Sequence, residues 1–375
     1  MLNRNAEQTR LERLPPGKVP LEVLKEVVFK NLGVQRREVL QGPAAGVDGA
    51  IIDAGSKSMV VSMDPITGAV EQIGWLAVNV NANDVATFGV EPAFLFSCLL
   101  LPENSNRKTV EDICSQMDAA AKELGIAIVG GHCESTPHLV TPIVVGCIIG
   151  LTQKGHYVTA AGAQPGDALI MTKTAGIEGT AILASDMTTY LKETMTAEEL
   201  DEAKKFYKRI SVVDDALTAY RTGGVDAMHD PTEGGVFGGI HEMADASSLG
   251  VKVYEDRVTV DPLTMTICGK FNIDPLQLIS SGALLIAAKS KYVDVILKSL
   301  QQLRIQASVV GEFTETPEQR ILMHSDGKQE ALPRPTFDQL WKALSSQKPV
   351  RTMKRKLNKP VEHENRVVKR IRKIT

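Results

Sequence analysis

Apolar and polar positions show two different patterns along the chain, and these predict helices and strands that alternate irregularly. Apolar residues spaced by three and four positions predict helices, and short apolar runs bounded by turn residues predict strands. The predicted helices lie at 21–32, 72–88, 110–124, 197–208, 212–221, 236–247 and 291–303. The predicted strands lie at 50–52, 59–62, 93–101, 126–129, 143–149, 168–171, 225–228, 251–254, 283–287 and 308–313.

A Gly- and Pro-rich stretch at 160–166 divides this succession into two series, as a linker does. Because strands and helices alternate on both sides of it, the pattern predicts two α/β or α+β domains divided near residue 160. The predicted segments are an N-terminal helix and arm, an N-terminal domain, a C-terminal domain and a C-terminal tail, at 1–40, 41–158, 165–325 and 348–375.

Composition narrows the class of protein. Hydrophobic residues make up 43% and charged residues 23% of the 375, which is ordinary for a globular protein. No apolar run reaches the roughly 20 residues of a membrane span, and the charged start lacks the apolar core of an export signal. The five cysteines show no C-x-x-C spacing, so neither a disulfide framework nor a zinc ribbon is predicted. We expect a cytoplasmic protein without a membrane partner.

The tail, Lys348–Thr375, is strongly basic. It holds eleven Lys or Arg and two Glu, a local charge of +9, and the formal total of −3 leaves −12 for residues 1–347. Little apolar periodicity predicts a flexible segment. A solvated tail and a tail that docks a protein partner both stay open, and we do not expect nucleic acid to be that partner.

The run His229–Val236 concentrates the chemistry of the second half. It places Asp230 and Glu233 at the predicted start of a helix, where Gly234 and Gly235 allow close approach to the backbone. Free N–H groups at a helix start attract phosphate, whereas bare carboxylates repel it. A divalent metal between them resolves the conflict and predicts a metal–phosphate site.

The alternative for the same run is a capped helix without a ligand. Asp230 or Thr232 would then accept from the helix N–H groups, and Glu233 would complete a capping box.

Further acidic residues of the first half lie at predicted strand and helix ends. Asp48 precedes a strand, Asp64 follows one, and Asn83 and Asp84 lie in the helix at 72–88. Asp84 shares the apolar face of that helix, where a carboxylate needs a partner or a metal. Oxygen ligands of this kind suit Mg²⁺.

A glycine pair follows the predicted strand at 126–129. Gly130 and Gly131 predict a turn that presents His132 and Glu134 at a strand end, a usual place for ligand contacts.

Several of these motifs resemble those of the ATP-dependent superfamily of aminoimidazole ribonucleotide (AIR) synthase, which includes HypE-type hydrogenase-maturation dehydratases, thiamine-monophosphate kinase and selenophosphate synthetase. The resemblance spans about residues 20 to 345, and the helix signature around Asn83 is its most specific part. The matching segments are Val47–Ala50, Met63–Asp64, Val80–Ala86 with Gly89–Pro92, Gly130–His132, Asp230–Gly235 and Ser280–Leu284.

The resemblance implies a two-domain AIR synthase-like fold. Its N-terminal α/β domain would bind ATP and form a barrel across a homodimer, and its C-terminal domain would be α+β. The implied reaction is phosphorylation of a substrate oxygen with ATP and Mg²⁺, which turns that oxygen into a leaving group.

The implied roles divide the candidate residues into three groups. The metal ligands would be Asp48, Asp64 and Asp84. The nucleotide-binding residues would be Asn83, Gly130, Gly131, Thr232, Gly234 and Gly235. The catalytic residues would be His132, Glu134, Asp230 and Glu233.

The branch within the superfamily stays open. The chain is most similar to AIR-synthase-related and HypE-like proteins, which implies a small-molecule, carbamoyl or amide substrate. The HypE branch ends in Pro-Arg-x-Cys, whereas this sequence ends in Arg-Lys-Ile-Thr and has its last cysteine at Cys268. A small-molecule kinase, an ATP-dependent cyclo-ligase and a non-catalytic nucleotide-binding regulator are the alternatives.

Overall fold

A computed structural model of the protein describes residue 14 and residues 16–346. The predictions for the tail at 348–375, and for the first part of the arm, lie outside the described residues. A short helix, α1 (Leu21–Glu26), and a 3-10 turn (Val28–Lys30) replace the single helix predicted at 21–32.

Six strands form the first sheet in the order β1-β2-β3-β6-β4-β5. Their bounds are β1 Val39–Gln41, β2 Ala50–Asp53, β3 Lys57–Ile66, β4 Pro92–Pro102, β5 Ala127–Thr136 and β6 Ile143–Gln153. Only β4 and β5 pair in parallel, and the other neighbours are antiparallel. Two helices, α2 (Ile73–Thr87) and α3 (Arg107–Glu123), cover one face.

Helix α2 is buried on every side rather than along the one face that the sequence predicts. Trp75 is its only residue that is not buried, because the helix packs between the first sheet, α3 and the second domain. Asp84 is therefore 3% exposed, in the centre of the molecule.

Strand β5 contradicts the predicted glycine turn. It continues through Gly130 and Gly131 to Thr136 and pairs with β4 along its whole length, with a register shift between Leu95 and Phe96. A Cβ on Gly131 would overlap the carbonyl oxygen of Ser97. The glycine therefore permits the close approach of two strands, and the pair does not form a turn.

Seven strands form the second sheet in the order β13-β12-β9-β11-β7-β10-β8. Their bounds are β7 Ala168–Thr172, β8 Val225–His229, β9 Gly250–Tyr254, β10 Leu285–Ala288, β11 Ala307–Thr314, β12 Arg320–Met323 and β13 Gln329–Ala331. The sheet is antiparallel except where β9 meets β12.

Eight helices accompany the second sheet in the described residues. They are α4 Ile177–Asp186, α5 Thr188–Leu191, α6 Ala197–Lys204, α7 Val213–Arg221, α8 Gly235–Ala246, α9 Pro262–Phe271, α10 Val293–Gln302 and α11 Gln339–Ser346. Short 3-10 turns follow α6 and precede α10, where the sequence predicts longer helices. The mixed sheets with their helices confirm the predicted two-domain α/β and α+β organisation. Among the described helices, none is long and apolar enough to cross a membrane.

Candidate active site

Four predicted aspartates meet where the two domains join. Asp48 precedes β2, Asp64 lies in β3, Asp84 lies in α2, and Asp230 follows β8. The side chain of Ser62 supports this arrangement, because its Oγ lies 2.6 Å from both the Asp48 carbonyl oxygen and Asp84 Oδ2. The structure therefore brings together acidic residues that are up to 182 positions apart in the sequence.

The carboxylate cluster, which we define as Asp48, Asp64, Asp84 and Asp230, carries more negative charge than its surroundings balance. Burial raises the pKa of Asp64 to about 6, with further upward shifts from neighbouring carboxylates. Burial and the nearby aspartates also raise the pKa of Asp84 and Asp230 well above the ordinary range. Both oxygens of Asp230 lack a hydrogen-bond partner among the described residues.

A divalent cation fits this arrangement. Buried carboxylates without partners are unfavourable unless a counter-charge is present, and hard oxygen ligands suit Mg²⁺. Ligand atoms of Asp48, His229 and Asp230 lie within 4.8 Å of one another. Both oxygens of Asp230 are available for a metal, whereas one oxygen of Asp48 and one of Asp84 already contact His229 and Ser62.

His229 links the cluster to helix α8. Its Nδ1 lies 2.8 Å from Asp48 Oδ2, and its Nε2 lies 2.9 Å from Glu242 Oε2. Burial opposes a charge on the ring, but the two carboxylates outweigh it and raise the pKa of His229 well above its usual range. His229 is therefore a buried imidazolium that orients Asp48.

Lys18 of the N-terminal arm joins the same network. Its Nζ lies 3.0 Å from Glu242 Oε1, and its backbone N–H donates to Glu233 Oε2 over 2.7 Å. The charge of Glu242 raises the pKa of Lys18, and Asp48 and Asp64 add to that effect. Burial opposes ionisation of Glu242, yet Lys18 and His229 lower its pKa to about 2. Carboxylates and cations thus alternate from Asp48 to Lys18.

The entrance of α8 differs from the predicted phosphate cradle. The backbone N–H of Gly234 donates to Asp338 Oδ2 over 2.7 Å, and that of Gly235 donates to the Thr232 carbonyl oxygen over 3.0 Å. Both glycines have positive φ, 84° and 63°, and a Cβ on Gly235 would lie 2.6 Å from the Leu278 carbonyl oxygen. The glycines therefore serve the tight turn and close packing.

The capping-box alternative is not found either. The N-cap of α8 is Gly234, without a side-chain cap of its own. Asp338 supplies the carboxylate instead, and burial raises its pKa to about 7.

Asn83 has a structural environment rather than the predicted place at the polyphosphate. It is fully buried, its Nδ2 donates to the Ile210 carbonyl oxygen over 2.9 Å, and its Oδ1 accepts from the Val212 N–H over 2.8 Å. Since both ends of the amide are used, Asn83 ties α2 to the second domain.

His132 and Glu134 lie apart from the carboxylate cluster of the same chain. Both are exposed on the edge strand β5, and His132 Nε2 lies 3.1 Å from Glu134 Oε2. That contact is the main reason why the pKa of Glu134 is lowered. Three strand spacings separate β5 from β3, roughly 14 Å at the usual spacing. Gly130 and Gly131 lie on the same strand and share this distance.

A cavity of about 360 Å³ opens beside Asp64. The arm, the Thr232–Glu233 turn, helix α4 and helix α11 all contribute to its wall. The lining residues are Gly17, Lys18, Asp64, Pro65, Ile66, Thr67, Gly68, Ala69, Val80, Glu178, Ile182, Thr232, Glu233, Ile279, Ser281, Asp338, Leu340 and Trp341.

Sequence reasoning did not assign four of these functional positions: Lys18, His229, Glu178 and Asp338. A signal exists for the network of His229, since Glu242 follows the apolar first half of helix α8, Gly235–Ala246. The other contacts join residues too distant in sequence to be paired by pattern.

Comparison with known proteins agrees with the resemblance seen in the motifs. The model of the AIR synthase related protein, N-terminal domain, matches residues 46–152, and that of the C-terminal domain matches residues 164–324.

Two curated relatives cover most of the chain. A putative hydrogenase expression/formation protein of Methanocaldococcus jannaschii is 29% identical over 306 residues, which cover 80% of this chain and 89% of that protein. Carbamoyl dehydratase HypE of Cupriavidus necator is 26% identical over 247 residues, with 65% and 68% covered.

Two solved structures share the fold. Hydrogenase maturation protein HypE in complex with ATP has a TM-score of 0.65 at 20% identity, covering 88% of this chain and 98% of that chain. A ThiL protein complexed with AMPPCP and TMP has a TM-score of 0.66 at 19% identity, covering 86% and 99%. Since family models match both domains in order and the fold agrees, the chain belongs to the family of AIR synthase related proteins.

Proposed function

We propose that the protein is an enzyme that uses ATP and Mg²⁺ to phosphorylate a substrate oxygen and so activate it. The observation that carries the proposal is Asp230, which is 1% exposed and has two carboxylate oxygens without a partner among the described residues, beside three further aspartates. Functional sites retain such unfavourable charge for a ligand. The related HypE structure with ATP supports the choice of nucleotide.

The residues of the chain would act by positioning charge. A bound Mg²⁺ would neutralise the negative charge that builds on the transferred phosphoryl group. Asp48, Asp64, Asp84 and Asp230 would hold it. His229 keeps Asp48 in place from the opposite side of the domain boundary.

Glu233 and Thr232 would face the transferred group, since both line the cavity next to Asp64. Lys18 lines the same cavity, and its ammonium group would approach the polyphosphate once ATP competes with Glu242. The backbone N–H groups of Gly234 and Gly235 take no part in this scheme.

The substrate oxygen would belong to an amide- or carbamoyl-type group on a separate molecule. The name of the HypE relative, a carbamoyl dehydratase, supports this class. Cys268, the last cysteine of the sequence, does not suit the role of a carrier, because it is buried in α9 and burial raises its pKa to about 12.

We also propose a homodimer in which two N-terminal sheets close a barrel. The face of the first sheet opposite α2 exposes a row of large apolar side chains, Met63, Phe94, Phe96 and Leu151. Such a patch is typical of an interface. His132 and Glu134 pair in register with Cys98 and Leu100 of β4 and share the face of Phe96. They would therefore act, if at all, within that interface.

Two measurements test the enzyme and separate it from a nucleotide-binding regulator. Calorimetry should show ATP binding that is far tighter with Mg²⁺ than with EDTA. ADP release should rise when a panel of amides, carbamoyl donors and phosphate monoesters is added, and Asp230→Asn should lose that release. Tight Mg–ATP binding without ADP release across the panel would indicate a regulator, and equal affinity with and without Mg²⁺ would contradict both.

The dimer has its own test. Sedimentation should give a dimer for the parent protein and a monomer for Phe96→Glu. A monomeric parent would contradict the proposed barrel.

A further inference from the structure

Glu178 is a buried carboxylate for which the proposed chemistry has no use. It lies in the first turn of α4 and is 3% exposed, and its Oε2 has no hydrogen-bond partner among the described residues. Burial raises its pKa to about 7. A carboxylate in this state is stabilised by any ligand that supplies a hydrogen-bond donor or a positive charge.

The local backbone holds Glu178 in the cavity wall. Gly176, at the start of α4, donates its N–H to Ser280 Oγ over 2.8 Å, and Gly179 donates its N–H to the Ile279 carbonyl oxygen over 3.1 Å. A Cβ on Gly179 would lie within 2.8 Å of Leu278 side-chain atoms. These contacts attach the start of α4 to the turn at 278–280 and so keep Glu178 in the cavity wall.

The charges around the cavity favour a cation. Four carboxylates line it, those of Asp64, Glu178, Glu233 and Asp338, against the ammonium group of Lys18. The ammonium group of Lys18 donates a hydrogen bond to Glu242. Both oxygens of Asp338 accept hydrogen bonds from backbone N–H groups. A metal at the cluster would neutralise the charge near Asp64, which leaves Glu178 Oε2 as an acceptor without a hydrogen-bond partner among the described residues.

The remaining wall is apolar and aromatic. Ile182, Ile279 and Leu340 line the cavity, together with the indole of Trp341. A volume of about 360 Å³ lies at the small end of ligand pockets. The space therefore suits a small molecule with a short apolar body and a cationic group.

We propose that the wall formed by Glu178 and Trp341 is the substrate-recognition pocket, and that it takes a substrate carrying a primary ammonium or amidinium group. This inference rests on the proposed function, since it names the cationic group by which the enzyme would bind the molecule whose oxygen is phosphorylated. Glu178 acts as a positioning residue, and the cationic group does not enter the phosphoryl transfer.

Three probes of equal size test the pocket in the parent protein, without any variant. Ligand-observed NMR titrations with n-propylammonium, n-propanol and propionate measure the effect of charge alone. We expect n-propylammonium to bind at least tenfold more tightly than n-propanol, and propionate to bind more weakly still. Equal affinity for the ammonium and the alcohol, or a preference for propionate, would overturn the proposal.

A matched pair of variants locates the binding. Glu178→Gln should weaken n-propylammonium binding at least tenfold, whereas Glu198→Gln, at an exposed position of α6, should leave it unchanged. Undiminished binding in folded Glu178→Gln would also overturn the proposal. The Mg–ATP melting shift of the parent is measured in parallel. A normal shift without ammonium binding contradicts only this inference, and ammonium binding without a Mg–ATP shift contradicts only the proposed function.

Discussion

Asp48 and His229 lie 181 residues apart in the sequence, and Asp48 Oδ2 is 2.8 Å from His229 Nδ1. Asp48 belongs to the N-terminal domain, and His229 is the last residue of β8 in the C-terminal domain. Since the other ring nitrogen faces Glu242, a positive charge is held between two carboxylates across the domain boundary. The candidate metal site therefore depends on both domains at once.

His229→Gln should destabilise the protein by about 3 kcal/mol, because it removes the charged partner of a buried ion pair. Chemical denaturation checks this. His324 offers a matched control, since it also faces two carboxylates, Glu255 and Glu330, but at the surface. His324→Gln should leave the denaturation midpoint nearly unchanged. Similar losses for both variants would mean that burial is not the cause.

Asp230→Asn should melt no lower than the parent when ligand is absent, because it relieves repulsion within the carboxylate cluster. Mg–ATP should raise its melting temperature less than it raises that of the parent, since this shift follows ligand affinity through mass action. Asp84→Asn should weaken the Mg²⁺ dependence of ATP binding in the same way. Thermal melts with Mg–ATP, with ATP and EDTA, and without ligand measure this. A lower melting temperature with an undiminished Mg–ATP shift would assign Asp230 a purely structural role.

Asn83→Ala should reduce the free energy of unfolding by about 1–3 kcal/mol, since it leaves a buried carbonyl oxygen and a buried N–H without partners. Mg–ATP affinity should stay within a factor of two, because the amide faces the main chain of residues 210–212. Denaturation and calorimetry on the same preparation separate the two effects. A large loss of affinity at unchanged stability would restore Asn83 as a nucleotide ligand.

The raised pKa of Glu178 predicts that the free energy of unfolding of the ligand-free protein falls as the pH rises. Burial raises its folded-state pKa to about 7 from an ordinary value near 4.5, so the folded state binds the proton more tightly than the unfolded state. The free energy of unfolding should then fall between pH 4.5 and 7 and level off above, by roughly 3 kcal/mol for this group alone. Asp338 adds a contribution of the same sign.

Denaturation midpoints at pH 5 and pH 8 measure that slope. Glu178→Gln should make the slope less steep by the contribution of that one carboxyl group, and Glu198→Gln should leave the slope unchanged. A slope in Glu178→Gln as steep as that of the parent would show that Glu178 is ionised without cost.

Local patterns in the sequence predicted the elements well where one helix or strand carries its own signal. The apolar run of β4 and the helix signature of α2 are examples. The aspartates of the carboxylate cluster were found because carboxylates at strand ends or inside an apolar helix contradict their surroundings. That local conflict is visible without a structure.

Long-range contacts account for the differences between the local sequence patterns and the structure. Gly234 and Gly235 looked like open phosphate donors because Asp338, which takes the Gly234 N–H, lies 104 residues further along. Asn83 looked like a ligand because its partners at 210–212 belong to the other domain. The glycine pair at 130–131 looked like a turn because the strand beside it, which requires the missing Cβ, is invisible to local pattern.

Gly17 of the arm and Trp341 of α11 touch at the cavity, where a Cβ on Gly17 would lie 2.7 Å from the indole nitrogen. Neither residue falls within the segments shared across the family, 46–152 and 164–324. A protein shortened to those segments would keep the carboxylate cluster but lose the two parts of the cavity wall that the arm and α11 form. The cavity is therefore completed by parts of the chain that lie outside the segments matched by the family models.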